Sequence, residues 1–579
     1  MTDLRLSFAA GYACLSAWSD LLDQINVFPV ADSDTGTNLR ISLAPLRDSG
    51  RESKASIDLL ARSATGNSGN IAAAFFQEFC QVNSYSELAE KAASGNEKAR
   101  QAIASPREGT MLTVFDSLAQ ELQSRVELDA IYSPLCLQLQ EAVQNTTRLL
   151  PELEEAGVVD SGALAMYVYF EGFFRHLTGQ KGKPESILNL FAGNLTINSS
   201  FYPQTTDCYC VDLIIEPDEE HASLKSSIAE LGESVVVVED EARLKVHMHT
   251  PDPTLLRGQL GMFGDILHWS AEEIDQGTQL RALTSGEAAA LHIVTDAAGS
   301  ITRETAQKNG ITLLDSYIIV GDTSRPESLH DAAQLYDLMR QGTKITTAQA
   351  ATFERHQHYE SICQQFGRSL YLVVGSAFTG NFETVMAWKK DNDPDNLLMV
   401  IDTGAASGRL GLISLLTARS AKNTTNPEEV VAFAKKAIAD CIELVFIDEL
   451  KYLVAGGRVS RASGFFGDLL SMKPVISPTE AGVRKVGVVH SRKGQLAFAL
   501  EKLAERFGSE DAPVIMLQYS DNKEWVSGVV LEKVKSLLSQ AEILLSPLSL
   551  TSGVHMGPGT WSMAYCSTTN ENGNLQDYR

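Results

Sequence analysis

The sequence has few aromatic residues, few cysteines and no long apolar run. Aromatic residues make up 7% of its 579 residues, and its eight cysteines are scattered along the chain. Scattered cysteines argue against a disulfide framework and favour a reduced, cytoplasmic setting. No stretch reaches the roughly 18 apolar residues of a membrane-spanning helix. The first residues have mixed charge and lack the apolar segment of a signal peptide. We therefore expect a cytoplasmic protein without a transmembrane segment.

Positive charge is scarce relative to negative charge. Lys and Arg number 48 and Asp and Glu number 73, so the formal net charge is −25. This excess argues against non-specific binding to nucleic acid or to an anionic membrane, because both are polyanions. Apolar residues, at 44%, are as frequent as in ordinary globular proteins, and a chain of this length can bury several cores.

Hydrophobic periodicity divides the chain into three regions. Up to about residue 182, apolar residues recur at helical spacing and strand-like runs are scarce. Residues 190–284 alternate β-rich runs with helical stretches, which indicates a small α+β domain. Residues 289–579 alternate short apolar runs with helical segments, which is typical of an α/β domain with a largely parallel sheet. We expect three domains with these boundaries.

An acidic loop in the first region has the chemistry of a divalent-metal site. Asp32 and Asp34 alternate within the segment 26–38, between Pro29 and Gly36. Two carboxylates so close repel each other, so a cation between them is stabilising. Mg²⁺ prefers oxygen ligands and usually joins a few carboxylates to substrate phosphates. The alternative is a solvated acidic turn.

A segment of small residues, 65–70, precedes a predicted helix that runs from Ile71. Small residues let backbone N–H groups approach a phosphate, and a helix N-terminus favours the anion. The segment lacks the Gly-Lys-Ser/Thr ending of a Walker A motif. An ordinary turn with a helix cap is the alternative.

These two motifs, followed by Glu108–Thr113 and Glu155–Gly162, resemble the ATP-binding domain of the dihydroxyacetone kinase L family. More closely still, they resemble the kinase subunit of bacterial fatty acid kinase. The resemblance covers most of residues 1–180. It implies an all-α antiparallel barrel of helices that holds ATP through two Mg²⁺ ions at one end.

The resemblance also implies roles for particular residues. It implies Mg²⁺ ligation by Asp32 and Asp34 and, with a spacing that differs by one residue, by Asn26. Nucleotide contacts are implied for a set at the same end: Thr37, Asn38, Asn67, Ser68, Gly69, Thr110, Asp160 and Gly162. Two positions depart from the family pattern. Ser33 stands where Gly is usual, and Thr65 stands where the kinase subunits usually carry Arg.

The second region holds a candidate Zn²⁺ site. Residues 245–249 form a predicted strand whose alternation places His247 and His249 on one face, and Cys210 opens an earlier strand. One thiolate and two imidazoles suit Zn²⁺ with one position left open, and Cys208 is a candidate fourth ligand. The alternative is a pair of half-buried histidines beside an inert cysteine. The kinase subunits of fatty acid kinase carry a similar middle domain, in which the three matching residues bind zinc.

Several loops of the third region carry hydroxyl groups, an Arg and a His, which are groups that can hold a carboxylate at a pocket mouth. Each loop alone is also compatible with a generic turn. Taken in order, the segments 293–296, 376–380, 401–404, 453–460, 465–474 and 555–559 resemble the DegV family of fatty-acid-binding proteins. The resemblance covers about residues 289–567. It implies two α/β lobes that enclose one extended acyl chain.

By this resemblance, four residues are expected to bind the fatty acid: Thr347, Ser376, Thr379 and His555. Thr347 and Ser376 are the expected donors to its carboxylate. Arg458 and His555 are expected beside the transferring group. Ala348 and Asn381 depart from the family pattern, in which Ser and Thr are usual.

Together the resemblances predict a single-chain fatty acid kinase with Asp32, Asp34, Arg458 and His555 at the reacting groups. It would transfer the γ-phosphate of ATP to the carboxylate of a long-chain fatty acid. The acyl phosphate would pass to an acceptor enzyme of phospholipid synthesis, and a homodimer is expected. Two alternatives remain open. One is a non-catalytic fatty-acid-binding or regulatory protein, and the other is a kinase of a small hydroxy-ketone such as dihydroxyacetone.

Overall fold

The computed structural model describes residues 4–48, 50, 53–124, 130–202, 208–218, 221–240, 243–274, 289–456 and 472–567. The chain divides into two units, Met1–Ser285 and Gly286–Arg579. Within the described residues, no helix combines the length and the hydropathy needed to cross a membrane.

The first part of unit 1 consists of helices. Their bounds are α1 Leu4–Gln24, α2 Thr35–Ser42, α3 Ser53–Ser63, α4 Gly66–Phe79, α5 Leu88–Ala102, α6 Met111–Ser124, α7 Tyr132–Leu149, α8 Pro151–Ala156, α9 Ser161–Leu177 and α10 Ile187–Leu190. The prediction of a helical first region is confirmed, and the barrel stays a prediction.

Helices α1 and α9 form the centre of this helical part, and both are buried on most sides. A helix that is apolar nearly all round is stable only when other elements cover it. Two glycines let the pair approach closely. A Cβ at Gly11 would lie 2.8 Å from the carbonyl oxygen of Tyr169, and one at Gly172 would lie 2.5 Å from Sγ of Cys14. A cluster of aromatic side chains packs against Phe170 of α9, and Phe75 is among them, with its ring centroid 5.7 Å from that of Phe170. Phe75 stacks on Phe115 with ring centroids 4.0 Å apart.

The second part of unit 1 is a four-stranded antiparallel sheet with two helices. Its elements are β1 Tyr209–Pro217, α11 His221–Ala229, β2 Glu233–Asp240, β3 Arg243–Thr250, α12 Pro253–Leu260 and β4 Gly264–Glu273, with strand order β2-β3-β1-β4. In the register of β1 and β3, Cys210 lies opposite His249 and Asp212 lies opposite His247. Strand β2 also contacts the helical part, because the N–H of Ala104 donates to the carbonyl of Val235.

The described residues of unit 2 form three sheets. A parallel sheet has the order β11-β10-β5-β6, a mixed sheet has the order β14-β13-β12-β17-β15-β16, and a small antiparallel sheet has the order β8-β7-β9. The strands are β5 His292–Asp296, β6 Ile311–Leu314, β7 Tyr317–Val320, β8 Thr323–Pro326, β9 Ile345–Ala348, β10 Ser369–Val373, β11 Leu398–Asp402, β12 Ile442–Phe446, β13 Lys473–Thr479, β14 Gly482–Val489, β15 Val514–Tyr519, β16 Glu542–Pro547 and β17 Trp561–Cys566.

The helices of unit 2 cover these sheets. They are α13 Arg303–Asn309, α14 Ala332–Arg340, α15 Thr352–Phe366, α16 Asn381–Asn392, α17 Ser407–Lys422, α18 Pro427–Asp440, α19 Leu450–Ala455, α20 Arg492–Arg506, α21 Lys523–Trp525, α22 Leu531–Leu537 and α23 Leu550–Met556, with a π-helical turn at Val526–Val530. Helix α17 contacts both β5 of the parallel sheet and β17 of the mixed sheet.

The expectation of a largely parallel sheet holds for the first sheet and is wrong for the second. In the mixed sheet, β17 pairs antiparallel with both β12 and β15, and β13 forms an antiparallel pair with β14. A strand buried on both faces is apolar along its whole length, whichever direction its neighbours run. The apolar runs therefore located the strands without giving their direction.

Candidate functional site

A cavity of about 390 Å³ lies within unit 1, between the helical part and the four-stranded sheet. It is lined by the loop after α1, the N-termini of α4 and α9, the loop between α5 and α6, and strands β1 to β3. The lining includes many of the residues expected at the nucleotide and metal sites: Asn26, Asp32, Asp34, Asn67, Ser68, Thr110, Asp160, Gly162, Cys210, His247 and His249. The structure thus brings the acidic loop and the Cys/His set to one cavity.

The acidic loop holds its two carboxylates together in a poorly solvated position. Burial raises the pKa of Asp32 to about 6. Burial and the neighbouring Asp32 raise the pKa of Asp34 well above its usual range. Ionising both carboxyl groups in this position costs free energy unless a cation compensates their negative charge. The arrangement fits a divalent cation with oxygen ligands.

Asn26 lies beside this pair. Its Nδ2 donates to Oδ1 of Asp32 at 2.6 Å. Its Oδ1 accepts a hydrogen bond from the hydroxyl of Ser161 at 3.3 Å. The amide group would have to turn over before its oxygen could ligate a metal held by Asp32.

The N-terminus of α4 is packed tightly against α2. Gly66 has a φ of +64°, and a Cβ added there would lie 1.9 Å from Nδ2 of Asn38. A Cβ at Gly69 would lie 2.1 Å from Oγ of Ser42. Asn38 and Gly69 pack at this junction and are not part of the cavity lining, but the side chain of Asn38 also hydrogen-bonds to Asp34, which does line the cavity.

Thr37 is likewise turned away from the cavity. Its backbone N–H donates to Oδ1 of Asp23 at 2.9 Å, and its hydroxyl donates to Oδ2 at 2.7 Å. Asn67 and Ser68 do line the cavity, at the first turn of α4. Of the residues in segment 65–70 that are expected to contact the nucleotide, these two line the cavity and Gly69 does not.

Thr110, Asp160 and Gly162 line the cavity as well. Asp160 precedes α9 and accepts a hydrogen bond from the N–H of Ala163 at 2.7 Å, so it caps this helix. Burial raises the pKa of Asp160 to about 7. Among the described lining residues, Arg107 is the only Lys or Arg.

The Cys/His set lies on neighbouring strands of the sheet. One ligand atom from each of Cys210, His247 and His249 lies within 4.8 Å of the others. Nε2 of His247 is buried and has no hydrogen-bond partner among the described residues. Burial and the neighbouring His247 lower the pKa of His249 to about 3, so its imidazole is neutral, which is the metal-binding form. This donor set fits Zn²⁺. Cys208, the candidate fourth ligand, is not part of it.

Sequence reasoning missed Asp212, which contacts both His247 and the N-terminus of α4. Burial by itself would raise the pKa of Asp212, but His247, Lys245 and the N–H of Gly66 together hold it well below its usual range. The available signal was an Asp within the apolar run 211–215 of a predicted strand. Such a residue is buried at a cost unless it has charged or hydrogen-bonding partners.

In unit 2, two of the four residues expected to bind the fatty acid are in direct contact. Oγ1 of Thr347, on β9, lies 3.1 Å from Nε2 of His555, on α23. Ser376 is exposed, and its N–H donates to Oδ1 of Asp402 at 3.1 Å. Oγ1 of Thr379 accepts from the N–H of Asn381 at 3.2 Å, at the start of α16. Arg458 lies outside the described residues.

Three family models match consecutive parts of the chain. A DAK2 domain model matches residues 29–175, the model of the FakA-like middle domain of fatty acid kinase matches residues 206–280, and the DegV family model matches residues 290–568. These matches confirm the resemblances recognised from the motifs, in the same order. The boundaries at 1–182, 190–284 and 289–579 remain predictions.

The chain is also similar to individual relatives and to solved structures. Uncharacterized proteins of Staphylococcus aureus strains USA300 and NCTC 8325 are each 28% identical over 364 residues, which cover 56% of this chain and 65% of the relative. A fatty-acid-binding DegV family protein from Thermus thermophilus is 21% identical, with a TM-score of 0.44, over 48% of this chain and 99% of that chain. The fatty acid kinase B3 protein of Streptococcus pneumoniae, loaded with linoleic acid, is 18% identical, with a TM-score of 0.42, over 48% and 98%.

Proposed function

We propose that this chain is an ATP-dependent kinase that phosphorylates the carboxylate of a long-chain fatty acid. The observation that supports it most is the cavity of unit 1, where Asp32 and Asp34 face the first turn of α4 within the region matched by the DAK2 model. The DegV match supplies the proposed acceptor, because solved members of that family are described as binding fatty acids.

The proposed reaction needs no general base. A fatty acid carboxylate is already ionised at neutral pH. One of its oxygens would form a bond to the γ-phosphorus of ATP while the bond from that phosphorus to the bridging oxygen breaks, giving acyl phosphate and ADP. The main obstacle is the approach of two anions, so positioning and charge neutralisation carry the catalysis.

The residues of the cavity have separate proposed tasks. Asp32 and Asp34, with Asn26, would hold Mg²⁺, which neutralises charge on the triphosphate. Asn67 and Ser68 would offer donors to the phosphates at the N-terminus of α4. Thr110, Asp160 and Gly162 flank the nucleotide in this proposal, while Thr37, Asn38 and Gly69 shape its surroundings. Cys210, His247 and His249 would hold Zn²⁺.

The acyl chain and its carboxylate are assigned to the DegV-like region. Burying each methylene contributes roughly 0.8 kcal/mol. The carboxylate needs donors, since its desolvation would otherwise offset that gain. Thr347, His555, Ser376 and Thr379 are the proposed donors, with Arg458 and His555 at the transferring group. A homodimer and an enzyme that accepts the acyl phosphate belong to the same proposal. None of the eight cysteines, all of which lie within the described residues, forms a disulfide, and this fits the proposal of a reducing compartment such as the cytoplasm.

The test is a turnover assay on the full-length chain with Mg-ATP and a long-chain fatty acid, in which hydroxylamine traps acyl phosphate. We expect fatty-acid-dependent ADP release together with a hydroxamate. Asp32→Asn should abolish this turnover and leave acyl binding intact, because Asp32 lies in unit 1 and the DegV match begins at residue 290. Turnover retained in Asp32→Asn would contradict the metal assignment.

The same assay separates the two alternatives. The DAK2 match also allows a small hydroxy-ketone acceptor, so dihydroxyacetone replaces the fatty acid in a parallel reaction. ADP release with dihydroxyacetone alone would favour that kinase. Binding of ATP and of fatty acid without any product would favour a regulatory lipid-binding protein.

A further inference from the structure

Asp212 connects the four-stranded sheet to the N-terminus of α4. It is 8% exposed. Its Oδ2 accepts hydrogen bonds from the N–H of Gly66 at 3.0 Å and from the hydroxyl of Thr65 at 3.3 Å. Its Oδ1 accepts from Nδ2 of Asn70 at 3.2 Å. Three donors from the beginning of α4 therefore converge on one carboxylate of β1.

The same carboxylate orients His247. Oδ2 of Asp212 lies 3.3 Å from Nδ1 of His247. A metal-ligating His commonly donates its second ring N–H to a carboxylate, which fixes the tautomer and the ring orientation. The same Nδ1 lies 3.9 Å from Sγ of Cys210, whereas the buried Nε2 has no hydrogen-bond partner among the described residues. Asp212 therefore contacts the ring of His247 on the side that faces Cys210 and fixes the orientation of this ring within the Cys/His set.

We infer that Asp212 is a positioning residue that couples metal binding at Cys210, His247 and His249 to nucleotide binding at the N-terminus of α4. A metal that fixes the ring of His247 also fixes Asp212, and through it the N–H of Gly66. Nucleotide binding in turn fixes the same carboxylate from the other side. By linkage, each ligand then raises the affinity for the other by the same factor. The inference rests on the proposed metal and nucleotide sites and is independent of the acceptor.

The test uses Co²⁺ as the metal probe and a fluorescent ATP analogue with Mg²⁺ as the nucleotide probe. Metal-free full-length protein is titrated with Co²⁺ by absorbance, and nucleotide affinity is measured with and without bound Co²⁺. The variants are Asp212→Asn and the milder Thr65→Val, which removes one donor to Asp212. Glu216→Gln is the matched control, because Glu216 is an exposed acidic residue on the same strand.

We expect Asp212→Asn to lower Co²⁺ affinity about 10- to 100-fold, the usual effect of removing such a partner, and to shift the cobalt absorption bands. Glu216→Gln should bind Co²⁺ like the wild type. In the wild type, bound Co²⁺ should tighten nucleotide binding by about 5-fold or more, a typical lower value for site coupling. This factor should fall in Thr65→Val and approach one in Asp212→Asn.

Wild-type Co²⁺ affinity and spectrum in Asp212→Asn would overturn the inference. So would a wild-type nucleotide affinity that Co²⁺ leaves unchanged, and this second measurement holds even if Asp212→Asn fails to fold. A wild-type chain that binds no Co²⁺ would refute both the metal site and the inference. If the chain binds both probes and Co²⁺ raises its nucleotide affinity, but no acyl phosphate forms, the proposed function alone would be refuted.

Discussion

A methyl group added at Gly66 tests how tightly the N-terminus of α4 packs against α2. Gly66 has a φ of +64°, and its added Cβ would lie 1.9 Å from Nδ2 and 2.5 Å from Cγ of Asn38. Asn38 is buried on α2, so it cannot simply turn into solvent. Gly66→Ala must therefore strain the backbone and displace a packed side chain.

The two costs can be separated with a matched glycine. Gly179 also has a φ of +64°, but no atom lies within 4 Å of its added Cβ. The left-handed conformation costs an alanine about 1–2 kcal/mol at either position. Overpacking adds about 1–3 kcal/mol, and only at Gly66. The loss of chain entropy in the unfolded state is the same for both substitutions and cancels in the comparison.

We therefore expect Gly66→Ala to lose about 1–3 kcal/mol more unfolding free energy than Gly179→Ala, measured by urea denaturation. Gly66→Ala should also weaken Mg-ATP binding, because the N-terminus of α4 must move, whereas Gly179→Ala should bind Mg-ATP normally. Equal stability losses in the two variants would show that α2 and α4 do not approach as closely as the structure has them. Normal Mg-ATP binding by a destabilised Gly66→Ala would refute the role of this turn in the nucleotide site.

Two further predictions concern a strained residue and a buried acid. Ser33 has a φ of +57°, so Ser33→Gly should raise the unfolding free energy by up to about 1 kcal/mol. The reason is that relief of about 1–2 kcal/mol of backbone strain exceeds the cost of the added chain entropy in the unfolded state. A clear loss of unfolding free energy in urea denaturation would contradict this prediction. Burial raises the pKa of Glu327 from 4.5 to about 7, although Thr551 donates to both of its oxygens at 2.7 Å. The folded state then holds an extra proton between these two pH values, so stability falls as the pH rises through this window. Glu327→Gln should flatten the dependence of Tm on pH between about pH 5 and pH 8; a profile as steep as that of the wild type would show that Glu327 is not responsible.

The sequence was informative where a local pattern determines the outcome. The apolar spacing of the first region predicted helices up to about residue 182, and the structure has such a helix over Ser161–Leu177. The alternation of residues 245–249 placed His247 and His249 on one face, and their ligand atoms do lie near that of Cys210. Both results follow from the side-chain period of a single element.

Such patterns do not predict contacts between residues that are far apart in the sequence. Thr37 lies in the acidic motif, yet its hydroxyl bonds to Asp23 of α1, and nothing in the motif indicates that partner. Nor does any pattern indicate that β1 would dock on the N-terminus of α4 through Asp212. The nucleotide and metal sites were predicted separately for this reason, and the shared cavity emerged only from the packing of the sheet against the helices.

The charge balance of that cavity indicates how its parts depend on one another. Its lining contains the carboxyl groups of Asp32, Asp34, Asp160 and Glu233, whereas Arg107 is the only Lys or Arg among its described residues. A triphosphate entering without a cation would meet repulsion from each carboxyl group that is ionised, and this repulsion strengthens where water is excluded. In the proposed function, oxygen, imidazole and thiol groups of the cavity would hold cations in place of positive side chains. Divalent cations are therefore an integral part of the proposed site, because without them the same carboxylates would oppose ATP binding.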